Sequence, residues 1–127
     1  MRSKSYCIEI NPIPWQRARC RGKQFWDNQV KDKVSYGLIM QQQHGKEPLF
    51  KGPLRLDIVF YIRSPKARSK HASLWHTTWP DFDNFLKFIC DAMNKVIIVD
   101  DKYICSGSFD CKYDPNPRTE LTLTELE

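Results

Sequence analysis

The chain has 127 residues, of which 41% are hydrophobic and 13% aromatic, and its formal net charge is +5. This length predicts one compact domain over residues 1–127, and the composition excludes an intrinsically disordered chain. No apolar run approaches the roughly 20 residues that span a bilayer, and the first ten residues lack the apolar core of a signal peptide, so we expect a cytoplasmic protein without a membrane partner.

The charge is divided unequally along the chain. Residues 1–70 carry 15 Lys and Arg against 5 Asp and Glu, whereas residues 71–127 carry 5 against 10. A basic first half attracts a polyanion such as nucleic acid. An acidic second half repels a polyanion unless its carboxylates hold cations. The alternative is that these charges only cover a soluble surface, which also fits a modest net charge.

Two elements are predicted in the first half. Alternation of apolar and polar residues indicates a strand over residues 6–10, which the prolines of residues 11–14 end. Residues 15–23 are basic and show no period, so we expect them to be irregular. A helix is predicted from about Trp26 to His44, with Gly45 as its stop. The apolar stripe of this helix consists of Trp26, Val30, Val34 and Leu38.

The second half contains the clearest strand, residues 54–62, in which five apolar residues alternate with four others. Residues 63–79 read as a long loop, and residues 82–96 as a second helix with one apolar face. Two further strands and the turn between them are predicted at residues 103–112, 119–126 and 114–117. This order predicts an α/β (α+β) domain, with a mixed sheet of about four to five strands and two main helices.

Carboxylates cluster at two places in the second half. Asp81 and Asp83 lie at the predicted start of the second helix, and Asp100 and Asp101 follow an apolar triplet. Hard oxygen ligands of this kind suit Mg²⁺ or Mn²⁺, which assist phosphodiester hydrolysis by acidifying water and neutralising charge. Lys87, one helical turn after Asp83, reaches a phosphate oxygen. The alternative is a helix cap, an ordinary helix ion pair and an Asp-Asp turn, and the residues alone leave both open.

The strings PDFDNFLKFICDAMN and VDD resemble the RusA family of Holliday junction resolvases. The family signature is a Pro-Asp-x-Asp-Asn-x-x-Lys helix start, a further Asp-Ala on that helix and an Asp-Asp pair, which match residues 80–92 and 100–101. The NPIP at residues 11–14 and the QRAR that follows are similar to the family's proline-rich, Arg-bearing opening. One departure is Trp79, which stands where the family often has a basic residue that contacts phosphate.

The resemblance implies a homodimeric endonuclease of bacteria, phages or prophages that cuts four-way DNA junctions by paired symmetric nicks, in recombination and repair. It implies Mg²⁺, with Mn²⁺ as a substitute, held by the catalytic carboxylates Asp81, Asp83 and Asp101. Asp100 is a neighbouring ligand, and Lys87 is the catalytic lysine. Asp91 has the right helix face, or it pairs with Lys87 or Lys95. Two rival functions are an idle branched-DNA-binding module and a nuclease of broader branched nucleic acids.

Basic residues supply the expected DNA contacts. Two exposed runs are predicted to hold phosphates without reading bases: Arg17, Arg19, Arg21 and Lys23, then Arg63, Lys66, Arg68 and Lys70. The resemblance adds His76 and Lys112. The alternatives are a solvated basic surface and a plain loop histidine. Trp75 and Trp79 are expected to pack in the core rather than to stack on bases, because aromatic residues are more often core residues.

Overall fold

The computed structural model describes residues 1–65 and 73–127, except for the side chain of Arg19. The elements are, in chain order, β1 (Ser3–Ile8), β2 (Arg19–Arg21), β3 (Gln24–Trp26), α1 (Val30–His44), β4 (Leu54–Ile62), α2 (Phe82–Met93), a 3₁₀ turn (Asp101–Tyr103), β5 (Ile104–Tyr113) and β6 (Arg118–Glu125). Four strands form one sheet in the order β1-β6-β4-β5, and β2 and β3 form a separate two-stranded sheet. The β4–β5 pair is parallel and the others are antiparallel, which confirms the predicted mixed sheet with two helices.

Strand β4 is the centre of the sheet, and its alternation is the one that the sequence predicts. Leu54, Leu56, Ile58, Phe60 and Ile62 are buried, while the residues between them are half-buried. The buried side is covered by α2, whose core residues are Phe85, Phe88, Ile89, Ala92 and Met93. Burying one such side chain contributes roughly 1.5–3 kcal/mol. The sheet and α2 therefore form the framework on which the acidic residues are carried.

The predicted core stripe of α1 is wrong. Val30, Val34 and Leu38 are 54–61% exposed, and Trp26 lies in β3 rather than in the helix. The buried side is a second helical stripe, consisting of Tyr36, Gly37, Met40 and His44. This side of the helix is buried because its polar side chains make hydrogen bonds: the Tyr36 hydroxyl donates to the carbonyl oxygen of Asn11, and His44 Nδ1 lies 2.6 Å from the Tyr6 hydroxyl. The more apolar stripe is left at the surface.

Residues 19–26 form the β2–β3 hairpin, where we predicted irregular chain and the start of a helix. Its turn contains Gly22 with a φ of 62°, and a tight hairpin turn favours such positive φ angles. Cys20 pairs with Phe25 across the hairpin, and Phe25 is 74% exposed. The hairpin therefore extends from the core as a basic and aromatic element.

Strand β5 lies at the edge of the sheet and pairs in parallel with β4. Gly107 has a φ of 150°, and a Cβ at this position would overlap the carbonyl group of Leu56 on β4, so the close pairing requires glycine. The predicted turn at residues 114–117 joins β5 to β6, although β4 lies between these strands. Among the helices that the structure describes, none has the length and apolar character needed to cross a membrane.

Candidate active site

The first turn of α2 presents two carboxylates. Asp81 is the N-cap residue, with an extended backbone (φ −70°, ψ 153°), yet its side chain makes no capping hydrogen bond. Asp83 follows in the first turn. Within residues 1–65 and 73–127, neither carboxylate takes part in a hydrogen bond or an ion pair. Among the described residues, Asp81 is therefore not a capping side chain, and Asp83 is not the ion-pair partner of Lys87.

A cleft of about 680 Å³ opens beside these carboxylates, between the chain before α2 and the edge strand β5. Its apolar wall includes Phe82 and Phe109, whose rings stack with centroids 4.3 Å apart and planes within 3°. Asp110 lines the same cleft and adds a third carboxylate. Asp110 was not among the predicted site residues, because the parallel β4–β5 pairing that brings β5 beside α2 leaves no local signal in the sequence.

Lys87 points toward the N-terminal segment of the chain rather than toward a carboxylate. Its Nζ lies 4.8 Å from the centroid of the Trp15 ring. The backbone N–H of Trp15 donates a hydrogen bond of 2.9 Å to the carbonyl oxygen of Asn84. Trp15 thus packs against the first turns of α2, close to both Asp83 and Lys87 in the helix.

The Asp100-Asp101 pair lies in a turn that is tied to the C-terminal end of α2. The Oδ1 of Asn94 accepts a 2.8 Å hydrogen bond from the backbone N–H of Asp101. Asp100 caps the 3₁₀ turn by accepting from the Lys102 N–H, and this hydrogen bond is the main reason that the pKa of Asp100 is lowered. Asp100 therefore has a structural role in the turn.

The half-buried thiol of Cys90 lies near the charged groups on this side of α2. Burial raises the pKa of Cys90 to about 12, and Asp101 and Asp91 raise it further, whereas Lys87 lowers it. Lys87 and Asp101 thus act on the same point of the helix. The expectation that Asp91 pairs with Lys87 or Lys95 is wrong: its partner is Lys33 of α1, at 3.7 Å. Lys33 is also bound to Asp27 at 2.8 Å.

The carboxylates near α2 are the donor atoms that a metal ion could use. In the described parts of the chain, no group of three or more His, Cys, Asp or Glu side chains is arranged to hold a metal. Asp81 and Asp83 lie at the start of α2, whereas Asp100 and Asp101 follow its end. The two unpartnered carboxylates at the helix start suit a hard divalent cation. The ligand set that includes Asp101 and Asp100 stays a prediction.

The predicted DNA-contacting residues fall into three groups. Arg17, Arg21 and Lys23 are exposed on and beside the β2–β3 hairpin, to which Arg19 also belongs by its backbone. Arg63 is exposed just after β4, and its backbone N–H donates to the Oδ1 of Asn11. The remaining residues of the second run lie outside the described residues; they are Lys66, Arg68 and Lys70. The first run is therefore the one whose arrangement the structure shows.

His76 and Lys112 both lie next to the cleft. The His76 ring packs edge-on against Phe85 and Tyr113, with centroid distances of 5.7 and 5.2 Å. Burial lowers the pKa of His76, so at neutral pH the ring is uncharged and can contact phosphate only by hydrogen bonding. Lys112 Nζ lies 5.1 Å from the centroid of the Trp75 ring.

The two tryptophans before α2 are surface residues. Trp75 is 52% exposed and Trp79 is 79% exposed, so the expectation that they pack in the core is wrong. Trp79 precedes Pro80 through a cis peptide bond, at the entrance to α2. Their position beside the acidic helix start leaves aromatic rings accessible where the cleft opens.

An acidic helix start, a nearby lysine and a basic hairpin are typical of an enzyme that acts on nucleic acid. Residues 9–124 match the family model described as "Endodeoxyribonuclease RusA". The chain therefore belongs to the RusA endodeoxyribonuclease family, which confirms the resemblance. It is also similar to a Bacillus subtilis (strain 168) protein named "Uncharacterized protein YqaN". The two are 29% identical over 100 residues, covering 72% of this chain and 70% of that protein.

Proposed function

We propose that this protein is a Mg²⁺-dependent endonuclease that resolves four-way DNA junctions in the recombination and repair of bacterial or phage DNA. The observation that carries the proposal is the pair Asp81 and Asp83. Both carboxylates lack partners in the described chain and line an open cleft. The resemblance drawn from the sequence supports the same two residues as catalytic carboxylates.

In this proposal each residue has a defined task. Asp81 and Asp83 would hold the divalent cation, and the family resemblance adds Asp101 as a further ligand. When bound there, the cation would supply the acidity of the attacking water and the positive charge that stabilises the phosphate in the transition state. Lys87 donates hydrogen bonds to a phosphate oxygen as a cation, and the exposed basic residues Arg17, beside the hairpin, and Lys23, in its turn, contact further phosphates of the DNA.

The test is to replace each carboxylate by its amide. Asp81→Asn, Asp83→Asn and Asp101→Asn should each lower junction cutting by roughly 10³-fold or more, because they remove charge that holds the cation. Junction affinity should stay near that of the unchanged protein. Cutting is measured with a labelled four-way junction in Mg²⁺, in Mn²⁺ and with a chelator. Glu9→Gln is the matched control, since Glu9 is an exposed carboxylate outside the cleft.

The same assay separates the rival functions. Duplex and single-stranded DNA are included as substrates. Junction binding without nicks by the unchanged protein would favour an idle binding module. Efficient cutting of plain duplex would favour a nuclease of broader substrates. Full cleavage by all three amide variants would rule out the proposed mechanism.

We also propose that the protein acts as a homodimer. Paired nicks in opposing strands need two active sites, and among the described residues of one chain only the start of α2 carries two unpartnered carboxylates. The exposed stripe of Val30, Val34 and Leu38 on α1 supports a second copy as its occupant, because an antiparallel pair of such helices about a two-fold axis buries identical apolar residues on both sides. The C-terminal flank of this stripe carries Gln41 and Gln42, which are uncharged, so the pairing opposes no like charges there.

A further inference from the structure

We propose that Trp15 is a positioning residue for Lys87, and that Gln29 holds Trp15 in place. The inference rests on the proposed function, in which Lys87 contacts the phosphate that is cut. It assigns a role to the proline-rich opening of the chain, which otherwise has no part in the site. The geometry couples this opening to the acidic helix.

The contact between Trp15 and Lys87 is direct. Lys87 Nζ lies 4.8 Å from the Trp15 ring centroid, which is within the range of a cation–π interaction. No carboxylate among the described residues forms an ion pair with Lys87. A lysine side chain has four rotatable bonds, and it loses much rotamer freedom when its ammonium group is held in one place. The indole face therefore restricts where the ammonium group lies.

Trp15 is itself fixed by hydrogen bonds on both sides. Gln29 is 3% exposed, and its Oε1 accepts from the backbone N–H of Gln16 at 2.9 Å. Its Nε2 donates to the carbonyl oxygen of Pro14, also at 2.9 Å. A buried amide whose donor and acceptor are both used is costly to displace. Together with the bond from the Trp15 N–H to Asn84, these contacts keep the segment on α2.

One consequence concerns the basic hairpin. Arg17 follows the fixed segment by one residue and leads into β2. The segment that holds Trp15 on α2 therefore leads directly into the basic hairpin. Trp15 positions the lysine, and the same backbone positions the arginine, so that DNA binding and lysine orientation depend on one short segment.

The kinetic test first removes the indole ring of Trp15 and then replaces it with a phenyl ring. Trp15→Leu should lower kcat for junction cutting by about 3- to 30-fold, the range of one cation–π contact, with KM changed little. Trp15→Phe should recover most of kcat. Tyr61→Leu is the matched control, because it removes a similar contact with Arg118 (3.8 Å to the ring centroid) outside the site. A Trp15→Leu variant with unchanged kcat would overturn the inference.

A double-mutant cycle separates positioning from a general structural effect. In a Lys87→Met background, Trp15→Leu should have no further effect on kcat, because the group that it positions is gone. Full additivity of the two losses would contradict the inference. If the unchanged protein cuts no junction, the proposed function fails first, and the contact is then tested without activity.

The contact between Trp15 and Lys87 can be tested without cutting activity by NMR on the free protein. The ε-methylene protons of Lys87 should be shifted by the ring current of Trp15, and the shift should disappear in Trp15→Leu. Gln29→Ala should reduce the shift, because the segment on either side of Trp15 loses its hydrogen bonds. Unshifted Lys87 protons in the unchanged protein would overturn the inference, whatever the outcome of the cutting assay.

Discussion

The Tyr6 hydroxyl and the His44 ring show how single residues support the fold. Tyr6 Oη lies 2.6 Å from His44 Nδ1, and His44 Nε2 lies 3.2 Å from the carbonyl oxygen of Pro48. A carbonyl oxygen only accepts, so Nε2 carries the proton and Nδ1 accepts from the tyrosine. Both side chains are buried. The pair therefore fixes the end of α1 against β1.

Tyr6→Phe should destabilise the protein by about 1–3 kcal/mol, because it leaves the Nδ1 of His44 buried and unpaired. The free energy of unfolding, measured by urea denaturation, checks this. Tyr61→Phe serves as the control, since Tyr61 is only half-buried, and it should change stability by less than about 0.5 kcal/mol. Equal losses in the two variants would contradict the role of the hydrogen bond.

The same residue contributes to alkaline unfolding. Burial raises the pKa of Tyr6 to about 12 from an ordinary value of 10. A raised pKa in the folded state means that the neutral form is favoured by folding, so this stability is full below pH 10 and is lost as the pH rises toward 12. Tyr6→Phe should therefore flatten part of the decline in stability over this pH window.

At the scale of elements, the predictions were confirmed where the hydrophobic pattern allowed only one buried face. Strand β4 alternates over nine residues and α2 has a single apolar face, so both were predictable from periodicity. Helix α1 carries two stripes at helical spacing, and the less apolar one is buried through Tyr36 and Gly37. The β2–β3 hairpin has three-residue strands, which are too short to show a period.

The candidate site follows the same rule. The sequence could predict that Asp81, Asp83 and Lys87 lie close together, because they fall within the first two turns of one predicted helix; their catalytic role came from the family resemblance and stays a prediction. The placement of Asp110 and the Lys33–Asp91 pair depends on contacts between elements far apart in the chain. Such contacts leave no local pattern, and only the folded chain reveals them.

The hairpin should contribute to DNA affinity through its charge. Arg17→Ala, Arg21→Ala and Lys23→Ala should each reduce the slope of log K against log salt concentration by about 1 for junction DNA, because each loses one phosphate contact. Binding is measured at several salt concentrations in the absence of divalent ions. Lys51→Ala, an exposed lysine outside the hairpin, should leave the slope unchanged. Unaltered slopes in the hairpin variants would exclude this element from the DNA interface.

At the scale of the whole molecule, the face of α1 should decide the oligomeric state. Leu38→Glu places a charge in the centre of the exposed stripe and should convert a dimer into a monomer, because an unpaired charge is costly to bury. Sedimentation equilibrium measures the mass, and the cutting assay should then show single rather than paired nicks. Leu126→Glu, at another exposed leucine, should remain dimeric. A Leu38→Glu dimer would place the interface on a different face.

The parallel pairing of β4 with β5 also has a consequence for folding. A parallel pair requires a long crossover connection, and here that connection carries Asp81, Asp83, Lys87 and Asp101. Closing a contact of such high sequence separation is slow compared with forming local structure. A chain emerging from the ribosome thus presents its basic N-terminal portion well before the crossover closes. The carboxylates of the proposed site are therefore brought beside β5 only when the sheet is complete, whereas the basic residues of the first half are synthesised earlier.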